Sequence, residues 1–361
     1  MPATTSHRSR VLQGDCLEVL AKRDAASIDA VVTDPPYGIS MAGMRWDTPR
    51  RLDPSRPLGR RSRANPSLAF QGFCTAWGSE CLRVLKPGGH LVSFAAPRTA
   101  HLLAYGLEAA GFELRDTLMW LQGQGYPHSR QLPGGWGTGL KPAHEPILLA
   151  RAPLDGSLGH TLSVHGTGGL NIDGCRLPDP GVCDRRTHTR GLSASQPGRW
   201  PANVVLSHTS QCTTGRCRSN CPASLLGDRH RFFYCAKASR RERDAGCEQL
   251  PRQVVQTFKI GARYKQMADE NPVANIHPTV KPIELMRWLV RLVTPQGGLV
   301  LDPFAGSGST GAAAQLEGAR FLGIEQDSEY VRIARARIKH WAMIARTEAR
   351  VSAACTGAAR R

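Results

Sequence analysis

The chain has 361 residues, 41% of them hydrophobic, enough for one large domain or two smaller ones with a full apolar core. Its net charge of +18 favours a polyanionic partner, because neutralising phosphates takes Lys and Arg in number. No apolar run reaches the roughly 18 residues that cross a bilayer, and no basic amphipathic helix or lipidation signal marks a membrane-surface protein. The polar, basic residues 1–10 do not resemble a secretory signal, so a cytoplasmic chain is expected. Its 11 cysteines then read as core thiols or metal ligands rather than disulfides.

In chain order, residues 11–15 read as a short strand ending in an acid and 17–23 as a brief helix. Residues 28–33 form a β-branched strand that stops at Asp34-Pro35-Pro36-Tyr37, where two prolines forbid further pairing. A long loop follows over 41–65, with seven arginines against two aspartates. Phe70, Phe73, Trp77 and Val84 share a helical face that ends at Lys86-Pro87-Gly88-Gly89. Residues 90–96, 112–120 and 145–150 read as strands, with a helix over 100–110. Beyond 151 the periodicity fails, and a strand over 202–206 looks isolated. Residues 183–243 carry twelve Lys/Arg against three Asp/Glu, half of the whole excess of positive charge. The α/β pattern resumes at Pro282 with an apolar helix, a buried strand over 299–301, a small-residue helix over 309–316 and a strand over 321–324. A last helix starts at Asp327-Ser328 with Tyr330, Ala334, Ile338 and Trp341 inward, and 351–361 read as a frayed basic tail. The expected organisation is therefore a wound α/β domain in two halves, 1–150 and 275–345, with a basic insert over 151–274 and a tail over 346–361.

Two constellations carry chemistry. Asp302-Pro303-Phe304-Ala305-Gly306-Ser307-Gly308 lies between a strand and a helix, and Glu325 ends the next strand. Glycines let a backbone approach a ligand, the helix start offers free N–H groups, and an acid about 20 residues on suits a ribose diol. The spacing lacks the third glycine of a dinucleotide site and the lysine of a P-loop. In the second constellation, Asp34 supplies a carboxylate, Pro35 a carbonyl without a competing N–H, Pro36 stiffness and Tyr37 a flat face. A planar ligand could donate an NH₂ group to Asp34 and the Pro35 carbonyl while stacking on Tyr37. Each constellation also admits a plainer reading, as a tight strand-to-helix turn and a rigid Pro-Pro loop.

These two motifs, with Asn275-Ile276-His277-Pro278-Thr279-Val280-Lys281-Pro282, resemble those of the amino-DNA methyltransferases that use S-adenosylmethionine. The order, catalytic motif first and cofactor motif near the C-terminus, is similar to their circularly permuted beta group. The resemblance covers residues 11–120 and 275–345. The insert resembles phage and mobile-element members more loosely, around residues 198–203 and 231–237. The resemblance implies a Rossmann-like methyltransferase sheet of about seven strands with an inserted loop-rich target-recognition region. It further implies methyl transfer to the exocyclic amine of a flipped base, with Asp34, Pro35, Pro36 and Tyr37 catalytic. Phe304 and the Gly306/Gly308 turn would hold the methionine part of the cofactor, Glu325 its ribose and Asp15, beside Cys16, its adenine. Asp302 belongs to the same motif, and His277 and Lys281 would close the other side.

An aspartate at the first motif position leans toward adenine N6, because the cytosine N4 members more often carry serine there. The partner expected is DNA, with a cognate restriction nuclease and a second copy of the chain as further candidates. The rivals are a cytosine N4 enzyme, an RNA or protein amide methyltransferase, and an inactive DNA-binding regulator of the same fold. His208, Cys212, Cys217 and Cys221, separated by three, four and three residues, could wrap a structural zinc ion, or be reduced thiols beside a surface histidine. The arginine-rich loop over 41–65 could clamp phosphates or simply be solvated. Trp46 and Trp136 could stack on bases, although a lone tryptophan is more often packed.

Overall fold

A computed structural model describes residues 9–41, 44–48, 65–122, 131–177, 198–207, 233–254 and 272–358. Strand β1 (Arg10–Gln13) leads into helix α1 (Cys16–Leu20), whose N-terminus is capped by the Asp15 carboxylate. β2 (Ile28–Thr33) is buried along its whole length. α2 (Pro66–Val84) starts from an Asn65 cap and runs directly into β3 (Leu85–Phe94). α3 (Ala100–Ala109), β4 (Glu113–Leu121), β5 (His144–Arg151) and α4 (Leu158–His165) follow. Two short strands, β6 (Val204–Leu206) and β7 (Phe233–Tyr234), precede α5 (Arg240–Asp244). The chain closes with α6 (Ile283–Val293), β8 (Leu299–Asp302), α7 (Ser309–Leu316), β9 (Arg320–Glu325) and α8 (Ser328–Ala358).

The described strands form one sheet in the order β1-β9-β8-β2-β3-β5-β4-β6-β7. All neighbouring pairs are parallel except those that β5 makes with β3 and β4. Buried side chains alternate between two faces. Ala30, Val32 and Val92 pack with Leu285, Leu289, Ala313 and Ala334 of α6, α7 and α8. Val31 and Leu91 pack with Leu20, Phe70, Trp77 and Leu103 of α1, α2 and α3. A sheet covered on both faces explains why β2 reads as an unbroken apolar run. One acid breaks that run: Asp29 bonds Lys86 at 2.6 Å and accepts the Leu299 N–H at 2.6 Å, tying the starts of β2 and β8 together.

Residues 10–151 and 299–325 supply seven strands, as expected, and β6 and β7 extend the sheet to nine described strands. Three expectations change. The strand expected to stand alone over 202–206 pairs in parallel with β4, Met119 opposite Val204. The expected basic tail stays helical to Ala358. The insert also packs on the domain: Thr167 donates to the Pro87 carbonyl at 2.5 Å, and Cys175 is buried against α6. Lys86-Pro87-Gly88-Gly89 does not precede its strand but bulges within it, shifting the register between Ile28 and Ala30. Cys16, Cys74, Cys81, Cys175, Cys235 and Cys247 are free, buried core thiols. No described helix is long and apolar enough to cross a membrane.

Candidate active site

The two motif-bearing strands are neighbours. β2 and β8 pair in parallel, Ala30 opposite Val300 and Val31 opposite Leu301, so residues 34–37 and 302–308 leave the same carboxyl edge side by side. In a wound α/β sheet that edge is where ligands bind. A direct bond joins the two strand ends: the Thr33 hydroxyl donates to Asp302 at 2.7 Å.

Asp302 is a framework group. Besides Thr33 it accepts from the Thr310 hydroxyl at 2.6 Å and the Phe304 N–H at 3.1 Å. Burial raises its pKa to about 6 against the pull of those donors. The turn that follows needs its glycines. Gly306 and Gly308 have φ of +49° and +76°, and a Cβ on Gly306 would sit 2.6 Å from the His277 ring. Glu325 braces the turn by accepting the Gly306 N–H at 2.8 Å and the Asp327 N–H at 2.9 Å. Burial raises its carboxyl too. Phe304 stays partly exposed and meets the rings of Phe73 and Trp77 at 5.8 and 5.5 Å. His277 lies against this turn and edge-on to Tyr330, and burial lowers its pKa to about 3, so it is a neutral wall rather than a proton carrier.

Asp15 and Cys16 sit beside Glu325 at the end of β1. Asp15 accepts the Leu17 N–H at 2.8 Å and the Gln326 amide at 2.6 Å. The Cys16 thiol is buried and pushed far up, which excludes it as a thiolate.

Around Asp34 lies a cluster that crosses the whole domain. Its carboxylate accepts from the Tyr37 hydroxyl at 2.7 Å and from the Lys281 ammonium at 2.5 Å. Lys281, expected on the cofactor side, is thus brought to the Asp34–Tyr37 tetrapeptide. Its Nζ is also 3.2 Å from the Tyr37 oxygen, 3.7 Å from Glu145 and 4.8 Å from the centre of the Phe94 ring. Burial raises the Asp34 pKa, and the Lys281 charge opposes that rise. Burial likewise holds the Tyr37 phenol neutral.

Two further acids, Glu145 and Asp47, escape the sequence reading. Glu145 lies 3.3 Å from the Tyr37 hydroxyl and accepts from Gln122 at 2.5 Å. The signal for it was an acid at the head of an otherwise apolar strand. Asp47, fully buried, gathers the N–H groups of Tyr37, Gly38 and Met41 at 2.6, 2.8 and 2.6 Å and so fixes the turn after the prolines. Nothing in its neighbourhood of arginines singled it out. Residues 42–43 and 49–64 of the proposed phosphate clamp lie outside the described residues, as do His208, Cys212, Cys217 and Cys221. Among the described residues, no group of three or more His, Cys, Asp or Glu could hold a metal ion.

A covered parallel sheet with a glycine turn and a ringed carboxylate at its switch point defines a Rossmann-like ligand-binding enzyme. The particular family follows from comparison: the model of the N6_N4_Mtase family, described as DNA methylase, matches residues 28–336, and the chain belongs to that family. It is 24% identical over 363 residues to the type II methyltransferase M.HindIII of Haemophilus influenzae, spanning 90% of this chain and 93% of that protein. Among solved structures, the cytosine-N4-specific PvuII DNA methyltransferase superposes with a TM-score of 0.50 at 16% identity, covering 91% of this chain and 86% of that one. M1.HpyAVI, solved as a complex with SAM, gives 0.45 at 17% identity over 92% and 99%.

Proposed function

We propose that the chain transfers methyl from S-adenosylmethionine to the exocyclic amine of a base flipped out of DNA, with adenine N6 as the target. The observation that carries this reading is the Thr33–Asp302 bond, which sets the amine-binding tetrapeptide and the glycine turn at one edge.

The residues present suit the cofactor. Glu325 accepts two backbone N–H groups, which leaves lone pairs for a ribose diol. The partly exposed Phe304 ring offers an electron-rich face to a sulfonium cation. When bound, the cofactor supplies an electrophilic methyl group. Asp34 and the Pro35 carbonyl then hold the two amine hydrogens, which keeps the nitrogen lone pair out of the ring and aimed at the donor. As the methyl's bond passes from sulfur to nitrogen, the nitrogen gains positive charge and those bonds strengthen, so they lower the barrier more than they raise affinity; the surplus N–H proton then leaves to water. A hydrogen bond to a charged group is worth about 1.5–3 kcal/mol, one to two decades in rate. Lys281 bonds Asp34, and Glu145, 3.7 Å away, is a second carboxylate that can take the ammonium when the amine bonds Asp34. Tyr37 provides the stacking face.

Asp34 supports adenine over cytosine, in line with the resemblance drawn from the tetrapeptide. The test is nucleoside mass spectrometry on DNA from cells that lack adenine methylation and express either the chain or Asp34→Ala. N6-methyladenine with the unchanged chain and at least tenfold less with the variant is expected. N4-methylcytosine would overturn the choice of base, and unmodified DNA would overturn the reading.

A further inference from the structure

A base that leaves the duplex opens a hole in the stack, and an enzyme that holds the base outside gains by filling that hole with an apolar or aromatic side chain. Residues 131–143, which lead into β5, are candidates to do so. Because β4 is antiparallel to β5, and β5 to β3, β4 runs parallel to β2, and its end at Leu121 reaches the same edge as Thr33. The Gln122 N–H donates to the Ala143 carbonyl at 2.7 Å and closes the base of the segment. Gln122 and Glu145 then connect that base to the Tyr37 hydroxyl.

At the far end is a tight turn. Gln131 and Gly137 pair, Leu132 N–H donates to the Trp136 carbonyl at 2.7 Å, and Gly134 and Gly135 take φ of +75° and +84°. The turn raises Trp136 to 74% exposure, with Leu140 at 94% and Leu132 at 44%. Leu140 and Trp136 are the two most exposed large hydrophobic residues described. Trp200, the other strongly exposed tryptophan, is covered by the Arg176 guanidinium at 5.7 Å. Three exposed apolar side chains within chain-length reach of the site of a strongly basic protein suit an apolar partner within a polyanion, and the interior of a base stack is one. The seven positions from Trp136 to Ala143 span at most about 25 Å, which bounds the distance from the ring to the edge where the flipped base sits.

We infer that Trp136, flanked by Leu132 and Leu140, enters the duplex and fills the gap left by the flipped base. The inference rests on the methyl-transfer reading above. It is tested on two synthetic duplexes carrying the methylated site, once DNA from expressing cells has revealed it. One is fully paired; the other has an abasic nucleotide opposite the target, which lowers the cost of extruding the base. Trp136→Ala loses at least tenfold in kcat/KM on the paired duplex and comes within about threefold of the unchanged enzyme on the abasic one. Trp136→Phe lies between them on paired DNA. S-adenosylmethionine affinity stays within twofold in both variants, which separates loss of the wedge from loss of the fold. Should Trp136→Ala fail to fold, Trp136→Gln replaces it. Equal loss on both duplexes, or no loss on paired DNA, overturns the inference alone. An unchanged enzyme that methylates neither duplex overturns the methyl-transfer reading and the wedge with it.

Discussion

Asp302 receives bonds from Thr33, Thr310 and the Phe304 backbone, all short donors fixed by the fold, whereas Asp34, one strand over, receives its bonds from the long arm of Lys281 and the phenol of Tyr37. Burial pushes both carboxyls upward, so desolvation alone does not distinguish them. The difference lies in the partners. Hydroxyls and a backbone N–H make Asp302 part of the scaffold, while Asp34 is met by an ammonium that also lies 3.7 Å from a second carboxylate, Glu145.

Substitutions sharpen or break this contrast. Asp302→Ala should have the largest effect, about 3 kcal/mol of stability, because it orphans two buried hydroxyls and a backbone N–H. Denaturant melts measure it; a loss below about 0.5 kcal/mol, the range of an ordinary surface change, would remove Asp302 from the scaffold. Asp34→Asn should cost one to two decades in kcat, about 1.5–3 kcal/mol in the barrier, with little change in the melt. If it instead unfolds the chain as readily as Asp302→Ala, the two acids are alike and the contrast fails.

Lys281→Gln is a subtler probe. It removes the charge that pulls the Asp34 pKa down, so Asp34 protonates at higher pH, and the acid limb of the kcat profile should move upward. An unmoved limb would mean that Asp34 does not govern that limb. The smallest effect at neutral pH belongs to a control away from both acids. His90, buried in β3, has its pKa lowered to about 4 by burial and by Arg151 and Arg115. The unfolded chain therefore binds more protons between about pH 4 and 6.5, and the contribution of His90 is whole above pH 6.5 and lost as pH falls. His90→Gln should flatten the stability curve in that window by up to about 1.4 kcal/mol per pH unit, as pH-dependent melts would show.

How much of this was legible in the sequence depended on reach. Asp34, Tyr37, Phe304 and Glu325 announce themselves because each sits where an apolar strand stops. The partnership of Lys281 with Asp34 spans 247 positions and that of Glu145 with Tyr37 spans 108, and no local period encodes either. β6 was misjudged as isolated because three residues are too few for periodicity, and its partner lies far upstream in β4. The helical continuation past residue 346 was missed since an Ala-rich basic stretch carries helix propensity but no apolar stripe.

The pairing of β2 with β8 also governs when the molecule becomes competent. During synthesis the tetrapeptide emerges early, yet one edge of its strand stays bare until residues 299–302 leave the ribosome. Most of the site's bonds are long-range, so assembly must wait for the last quarter of the chain. A product that ends before β8 therefore lacks the paired motifs.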